Sequence, residues 1–201
     1  MKRNIPQLLI FARLLMAPVM WGTAWYFGNG ATWLVITLII LGFASDVLDG
    51  IVARHQGQSS ARLRRMDSQV DMLFWLSAGF ALWHIHPELV RQNKVGILFL
   101  FLMEASCYGV SLLKFGKETC THAWLSKFWG ITLLMAFIAM LGSGSDYFFF
   151  NLCLWAGLIS HLDRIAITLL LPEWNHDIPS AYHAWLIRKG KSFKKFKLLN
   201  G

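Results

Sequence analysis

Long apolar stretches alternate with short polar connections along the whole chain. We place six apolar spans near residues 8–28, 32–53, 68–86, 93–113, 127–143 and 148–171. Several of them approach or reach the ~20 apolar residues that cross a bilayer as a helix. Turn-forming residues separate neighbouring spans at 28–31 (GNGA), 84–88 (HIHPE) and 142–146 (GSGSD). The pattern therefore predicts an all-α integral membrane protein with six transmembrane helices.

The composition agrees with this prediction. Of the 201 residues, 56% are hydrophobic and only 15% are charged, whereas soluble domains carry ~25% charged residues. The three cysteines are odd in number and lack metal-ligand spacing, so they imply no disulfide framework. No stretch is long enough for a soluble nucleic-acid module. We therefore interpret the net charge of +8 as a sign of orientation and of contact with anionic membrane lipids.

Basic residues are concentrated at alternate ends of the spans. They cluster at 2–3, 54–65, 114–127 and 188–197, while the other connections carry little positive charge. By the positive-inside rule, both termini are expected in the cytoplasm. We expect one six-helix transmembrane domain at 1–187 and a basic cytoplasmic tail at 188–201. The tail forms either an interfacial helix on the inner leaflet or a solvated segment.

Four aspartates interrupt the apolar pattern around the second and third spans. Asp46 and Asp49 stand at i and i+3, and Asp67 and Asp71 at i and i+4, so each pair lies on one face of a helix. The polar segment between the pairs is typical of a cytoplasmic connection. The two pairs are therefore expected to converge near the cytoplasmic ends of two adjacent, antiparallel helices.

Four carboxylates in one place need a compensating positive charge. A divalent cation supplies it, and an all-oxygen ligand set favours Mg²⁺ or Mn²⁺. Because Mg²⁺ held by carboxylates usually completes its shell with substrate phosphates, the cluster indicates phosphate chemistry. The alternative is an interfacial salt-bridge network between the aspartates and nearby arginines. Those arginines are Arg54, Arg62, Arg64 and Arg65.

The pattern Asp46-x-x-Asp49-Gly50-x-x-Ala53-Arg54, followed by Asp67-x-x-x-Asp71, resembles the signature of the CDP-alcohol phosphotransferases. These are six-helix membrane enzymes that make phospholipids. The start of the chain, at 4–13 (NIPQLLIFAR), also resembles the opening of phosphatidylglycerophosphate synthases. The chain departs from the family pattern at Leu63, where relatives usually have glycine. The resemblance implies transfer of a phosphatidyl group from a CDP-linked lipid donor, such as CDP-diacylglycerol, to a small alcohol, with release of CMP.

The resemblance also implies roles for individual residues. The implied metal ligands are Asp46, Asp49, Asp67 and Asp71. Asp71 matches the general base that deprotonates the acceptor hydroxyl. The implied donor-binding residues are Gly50, Ala53, Arg54 and Ser60. Lys114, Lys117 and Lys127 are either acceptor-binding residues or ordinary positive-inside anchors.

Two alternatives to this function stay open. One is a catalytically altered or inactive family member, and the other is a different Mg²⁺-pyrophosphate membrane enzyme such as an intramembrane prenyltransferase. The two aspartate pairs lie close together in the chain, whereas prenyltransferases carry theirs in distant loops. We expect the protein in a membrane, the bacterial inner membrane, with its active site facing the cytoplasm. Family members are often dimers, which makes a homodimer an expected partner state.

Overall fold

The computed structural model describes residues 4–56, 61–117, 123–144 and 147–192, and these residues form helices and connections without any strand. The helices are α1 (Ile5–Phe27), α2 (Thr32–His55), α3 (Ala61–Ile85), α4 (Pro87–Gln92), α5 (Lys94–Phe115), α6 (Trp124–Ser143), α7 (Tyr147–Leu170) and α8 (Ala181–Arg188). A 3-10 turn, Gly28–Ala31, joins α1 to α2. Gly28 ends α1 with a φ of 51°, a left-handed conformation that glycine adopts without a steric penalty.

The six long helices, α1, α2, α3, α5, α6 and α7, coincide with the six predicted apolar spans. The prediction of an all-α fold is confirmed. The largest difference is at α3, which begins at Ala61 rather than near residue 68, because the helix continues through the charged residues that precede the apolar run. The short helices α4 and α8 were not predicted.

Four stretches of the described helices are long and apolar enough to cross a membrane. They are Ile5–Ala53, Lys94–Phe115, Trp124–Ser143 and Phe148–Leu170, and the first of them takes in both α1 and α2. The helix α3 is not among them, since its first turns carry arginines and aspartates. The structure thus supports an integral membrane protein, while the count of six spans and the orientation of the termini stay predictions.

The described residues divide into two compact units. The first contains residues up to Asn93 together with Leu134–Phe149. Here α1 packs against both α2 and α3. The buried face of α1 follows a spacing of three and four residues. Its members are Pro6, Ile10, Arg13, Ala17, Met20 and Ala24. One arginine thus lies in the middle of an otherwise apolar stripe.

The facing helices carry their aspartates on equally regular buried stripes. On α2, Asp49 is buried on the same face as Ile39 and Ala53. On α3, Asp67 is buried one turn before Val70 and two turns before Phe74. The polar site is therefore embedded in the helix packing of the first unit.

The second unit contains Lys94–Leu133 and the described residues from Phe150 onward. It comprises α5, the first half of α6, most of α7, and α8. Its apolar core includes Ile167, Leu171, Ile178 and Ala184. The segment after α7 returns to this core, because Ile178 is only 2% exposed.

Candidate metal centre

The four aspartates surround a single side chain, that of Arg13 on α1. Arg13 Nη2 donates hydrogen bonds to Asp49 Oδ2 at 2.8 Å and to Asp67 Oδ1 at 2.6 Å. Arg13 Nη1 lies 2.6 Å from Asp46 Oδ1 and 2.6 Å from Asp71 Oδ1. The structure thus brings all four predicted carboxylates to one point.

The register of α2 and α3 explains this convergence. Only a short connection separates the end of α2 at His55 from the start of α3 at Ala61, so the helices run antiparallel. Asp46 shares one guanidinium nitrogen with Asp71, and Asp49 shares the other with Asp67. The two aspartates of α2, three residues apart, therefore face the two aspartates of α3, four residues apart, at nearly the same levels along the helices.

Three of the aspartates can hold a metal ion. Asp46, Asp49 and Asp67 each offer a carboxylate oxygen, and these oxygens lie within 4.8 Å of one another. Mg²⁺ and Mn²⁺ prefer such all-oxygen sites. Asp71 reaches the same cluster from the next turn of α3 through its contact with Arg13.

The contacts of Arg13 show how well these oxygens fit a cation. Arg13 is only 1% exposed. Its Nε and Nη1 are buried without an aligned hydrogen bond among the described residues, even though two carboxylate oxygens lie close to Nη1. A guanidinium binds best through a planar fork of aligned N–H groups. The four carboxylate oxygens surround the positive charge of Arg13 but do not match the fork of its N–H groups. This arrangement suits a small spherical cation.

The cluster has a buried side and an accessible side. The side chains of Asp49 and Asp67 are 4% and 7% exposed, while those of Asp46 and Asp71 are 36% and 31% exposed. A cavity of about 10 Å³ lies next to Arg13, Asp46 and Asp71, which is room for about one water molecule. Any ligand must reach the cluster from this accessible side.

Burial also affects the charge of the cluster. It raises the pKa of the Asp67 carboxyl to about 6, and the nearby Asp46 acts in the same direction. Arg13 and Arg64 act against this rise. The ionised form of Asp67 thus depends on positive charge supplied close to it.

Comparison with known proteins agrees with the motif. The family description of the CDP-alcohol phosphatidyltransferases matches residues 3–169, which include the aspartate cluster. The chain belongs to the CDP-alcohol phosphatidyltransferase family. No curated protein and no solved structure matches the chain.

Two of the donor-binding residues that the family motif implies, Gly50 and Ala53, lie on α2 within one turn or so of Asp49. Gly50 is buried, and Ala53, at 3% exposure, packs with Ile10, Leu63 and Val70. The side chain of Arg54 and the whole of Ser60 lie outside the described residues. Leu63, the departure from the family pattern, is 9% exposed and belongs to the same buried apolar cluster as Ala53.

The arginine contacts differ from the salt-bridge alternative considered for this stretch. That alternative named Arg54, Arg62, Arg64 and Arg65, whereas all four aspartates pair with Arg13 on another helix. Of the four named arginines, Arg64 is buried on α3 and acts to lower the pKa of Asp67. Arg62 and Arg65 are exposed on α3. The only sequence signal for Arg13 is its place on the apolar stripe of α1.

The three candidate acceptor lysines lie in the second unit. Lys114 Nζ donates to the backbone oxygens of Thr168 at 3.0 Å, Leu169 at 2.7 Å and Leu171 at 2.7 Å. It therefore caps the C-terminal end of α7, which favours a structural role. Lys117 Nζ lies 5.3 Å from the ring centre of Trp174, and Lys127 is half-buried on α6.

A second carboxylate cluster lies within the second unit. Glu104 Oε2 accepts from His161 Nε2 at 2.7 Å and from Arg164 Nη1 at 2.5 Å, while Arg164 Nη2 donates to Glu104 Oε1 at 3.1 Å. His161 Nδ1 contacts the backbone oxygen of Gly157. These contacts pair charges that would otherwise be costly in an apolar helix and tie α5 to α7.

Asp163, which directly precedes Arg164 in the sequence, acts separately. Its Oδ1 accepts a hydrogen bond from the backbone N–H of Ala181 at 2.9 Å. Ala181 is the first residue of α8, where a negative charge compensates the unpaired N–H groups of a helix start. Asp163 thus secures α8 rather than forming a second reactive site.

Proposed function

We propose that the protein transfers a phosphatidyl group from a CDP-linked lipid donor, such as CDP-diacylglycerol, to a small alcohol and releases CMP, as a step of phospholipid biosynthesis. The observation that carries the proposal is the cluster of Asp46, Asp49 and Asp67 oxygens within 4.8 Å of one another. It lies on two helices inside the region that matches the family. Family membership supports phosphatidyl transfer, and the donor, the acceptor and the release of CMP are our proposal.

The same cluster would hold the cofactor, Mg²⁺ or Mn²⁺. Asp46, Asp49 and Asp67 would hold the ion together with Asp71. When bound, the cation neutralises charge on the donor pyrophosphate and stabilises the leaving CMP. The fit rests on the all-oxygen ligand set and on the imperfect match of Arg13 to the same oxygens.

Asp71 is our proposed general base. With a 31% exposed side chain, it lies on the accessible side of the cluster, where an acceptor alcohol would arrive. A carboxylate oxygen of Asp71 takes the hydroxyl proton as the acceptor oxygen attacks the lipid-bearing phosphorus. A new P–O bond forms, the bond from that phosphorus to CMP breaks, and CMP leaves with the electron pair.

The remaining family positions would bind the donor. Gly50, which has no side chain, allows a base or phosphate to approach the backbone of α2. Ala53 keeps the next turn of the same face small. Arg54 would hold pyrophosphate oxygens through charge-assisted hydrogen bonds, and Ser60 would contact the donor from the connection after α2.

The contacts of the candidate lysines differ in what they allow for acceptor binding. A phosphorylated alcohol such as glycerol 3-phosphate suits Lys117 and Lys127, whereas the ammonium group of Lys114 already donates to three carbonyls. Substitution of each lysine by methionine separates the roles. An acceptor-binding lysine raises the acceptor KM, and a helix-capping lysine lowers the unfolding temperature.

We also propose that the active site faces the cytoplasm of a bacterium, across the inner membrane, with both termini inside, and that the chain forms a homodimer. The basic connections support this orientation. Cysteines introduced at Asn29 and at Ser192, in a chain whose native cysteines are replaced by serine, test it. Labelling of Asn29→Cys only from outside and of Ser192→Cys only from inside is expected; the reverse result contradicts the orientation.

Activity is tested with purified protein in lipid nanodiscs containing CDP-diacylglycerol. Mg²⁺ or Mn²⁺ and a panel of alcohols that includes glycerol 3-phosphate are added, and CMP and the new lipid are measured. We expect CMP release that needs both cation and one class of alcohol, and that is absent in Asp49→Asn. A folded wild-type protein that releases no CMP with any alcohol would refute the proposal.

A further inference from the structure

Arg13 belongs to neither half of the aspartate motif, yet it contacts all four aspartates. It lies on α1, between α2 and α3, and is 1% exposed. One nitrogen contacts Asp49 and Asp67, and the other contacts Asp46 and Asp71. A buried arginine with four acidic partners from two other helices is an internal counter-charge of this cluster.

Two positive charges do not balance four carboxylates: besides Arg13, the buried Arg64 on α3 acts on Asp67. If all four are ionised, the cluster and the two arginines together carry a charge of about −2, and such repulsion between neighbouring carboxylates favours binding of further positive charge. A divalent cation meets that need. However, one oxygen of every aspartate already lies within 2.8 Å of an Arg13 nitrogen.

The space at the site limits how the cation can enter. With Arg13 in place, the adjoining cavity measures about 10 Å³, too small for a cation that keeps waters or phosphate oxygens in its shell. An ion held by those same aspartate oxygens would lie where the guanidinium now lies. Arg13 and the cation would therefore compete for one position.

We propose that Arg13 is a positioning residue of the metal centre, which holds the four aspartates together in the metal-free protein and is exchanged for the divalent cation when the ion binds. The inference rests on the cation site of the proposed function. It assigns to Arg13 a role in setting metal affinity. The partly exposed side of the cluster, next to Asp46 and Asp71, gives the guanidinium a direction in which to move.

Titration of the purified protein with Mn²⁺, followed by electron paramagnetic resonance of the free ion, tests the exchange. Arg13→Gln removes the competing charge. Arg13→Lys keeps the charge but loses the fork, and Arg164→Gln is the matched control, since it removes the buried arginine beside Glu104 in the second unit. A competitor that fills the site nine-tenths of the time weakens apparent affinity about tenfold.

We therefore expect Arg13→Gln to bind Mn²⁺ at least about tenfold more tightly than wild type, Arg13→Lys to fall between them, and Arg164→Gln to match wild type. Arg13→Gln should also unfold at a lower temperature than wild type without cation and recover when Mn²⁺ is added. A purely structural arginine would lower stability without tightening Mn²⁺ binding.

Two results would overturn the exchange. One is a folded Arg13→Gln protein that binds Mn²⁺ no more tightly than wild type. The other is an Arg13→Gln protein that stays unfolded even with Mn²⁺ while Arg13→Lys binds like wild type, because the cation then cannot take the place of the arginine. If wild type and Arg164→Gln bind no Mn²⁺ at all, the cation site of the proposed function is wrong as well. Failure of the exchange alone leaves Mn²⁺ binding by wild type intact, so the two failures are distinguishable.

Discussion

Arg13 donates a 2.6 Å hydrogen bond to Asp67, although 54 positions separate the two residues in the chain. The bond ties the first helix to the third at the level of the aspartate cluster. The family motif lies on α2 and α3 alone, but the site in the folded chain involves three helices. The identity of the α1 residue at this position therefore affects how the aspartates are held.

Substitution of Asp71 tests its role as the base. Asp71→Asn is expected to lower the rate of the chemical step by ~10²–10⁴, because an amide does not accept the hydroxyl proton, while binding of the CDP-linked donor stays close to wild type. Single-turnover CMP release and donor binding are the two measurements. Arg54→Ala is the comparison variant and should mainly raise the donor KM. A normal turnover number for Asp71→Asn at saturating substrates would contradict the assignment.

Close packing of α2 against α3 is expected to hold the aspartates in register. A Cβ atom added at Gly42 would clash with the ring of Phe74, and Phe74 is 1% exposed, so its ring has little room to move. Gly42→Ala should destabilise the protein by about 1–3 kcal/mol, as overpacking does, and weaken Mn²⁺ binding.

Gly79→Ala is the matched control for this packing effect, because a Cβ atom at Gly79 meets nothing within 4 Å. Thermal unfolding and Mn²⁺ titration of both variants make the comparison. Equal behaviour of the two alanine variants would show that the contact between α2 and α3 does not position the carboxylates.

The Glu104 cluster is expected to act on stability rather than on catalysis. Glu104→Gln leaves the largely buried Arg164, 11% exposed, without its charge partner; breaking a fully buried pair typically costs about 3–5 kcal/mol, and the 28% exposure of Glu104 places the expected cost below that range. Glu88→Gln, at an exposed glutamate whose partner His86 is 3.4 Å away, should cost about 0–1 kcal/mol. Unfolding temperatures and CMP release per folded molecule are compared. Loss of CMP release by a Glu104→Gln protein as stable as wild type would contradict this division of roles.

Much of the fold could be predicted from the apolar pattern. The apolar runs of the sequence correspond to the six long helices. A segment that crosses a membrane must satisfy its backbone N–H and C=O groups by hydrogen bonds within itself, so an apolar run of that length forms a helix. The pattern could not predict that α3 begins at Ala61, since hydropathy does not distinguish a polar helical turn from a connection. The short helix α8 was also missed, because its start is secured by Asp163, a contact between distant residues.

The site was predicted only in part for a similar reason. Same-face spacing of Asp46, Asp49, Asp67 and Asp71 is a local property, so the sequence displays it. The contacts of Arg13 depend on how three helices pack, and a single arginine in an apolar run does not indicate its partners. Likewise, Glu104 lies within the fourth predicted span and His161 and Arg164 within the sixth, and only the fold shows that Glu104 pairs with the other two.

The most direct test of a metal centre for phosphatidyl transfer is electron–nuclear double resonance of Mn²⁺ bound to the protein together with CDP-diacylglycerol. If the aspartates hold the cation against the donor pyrophosphate, the spectrum shows phosphorus couplings from direct Mn–O–P contact. These couplings should disappear in Asp49→Asn and persist in the control Asp163→Asn. Bound Mn²⁺ without phosphorus coupling in wild type, or coupling that persists in Asp49→Asn, would contradict the assignment of this cluster as the catalytic metal site.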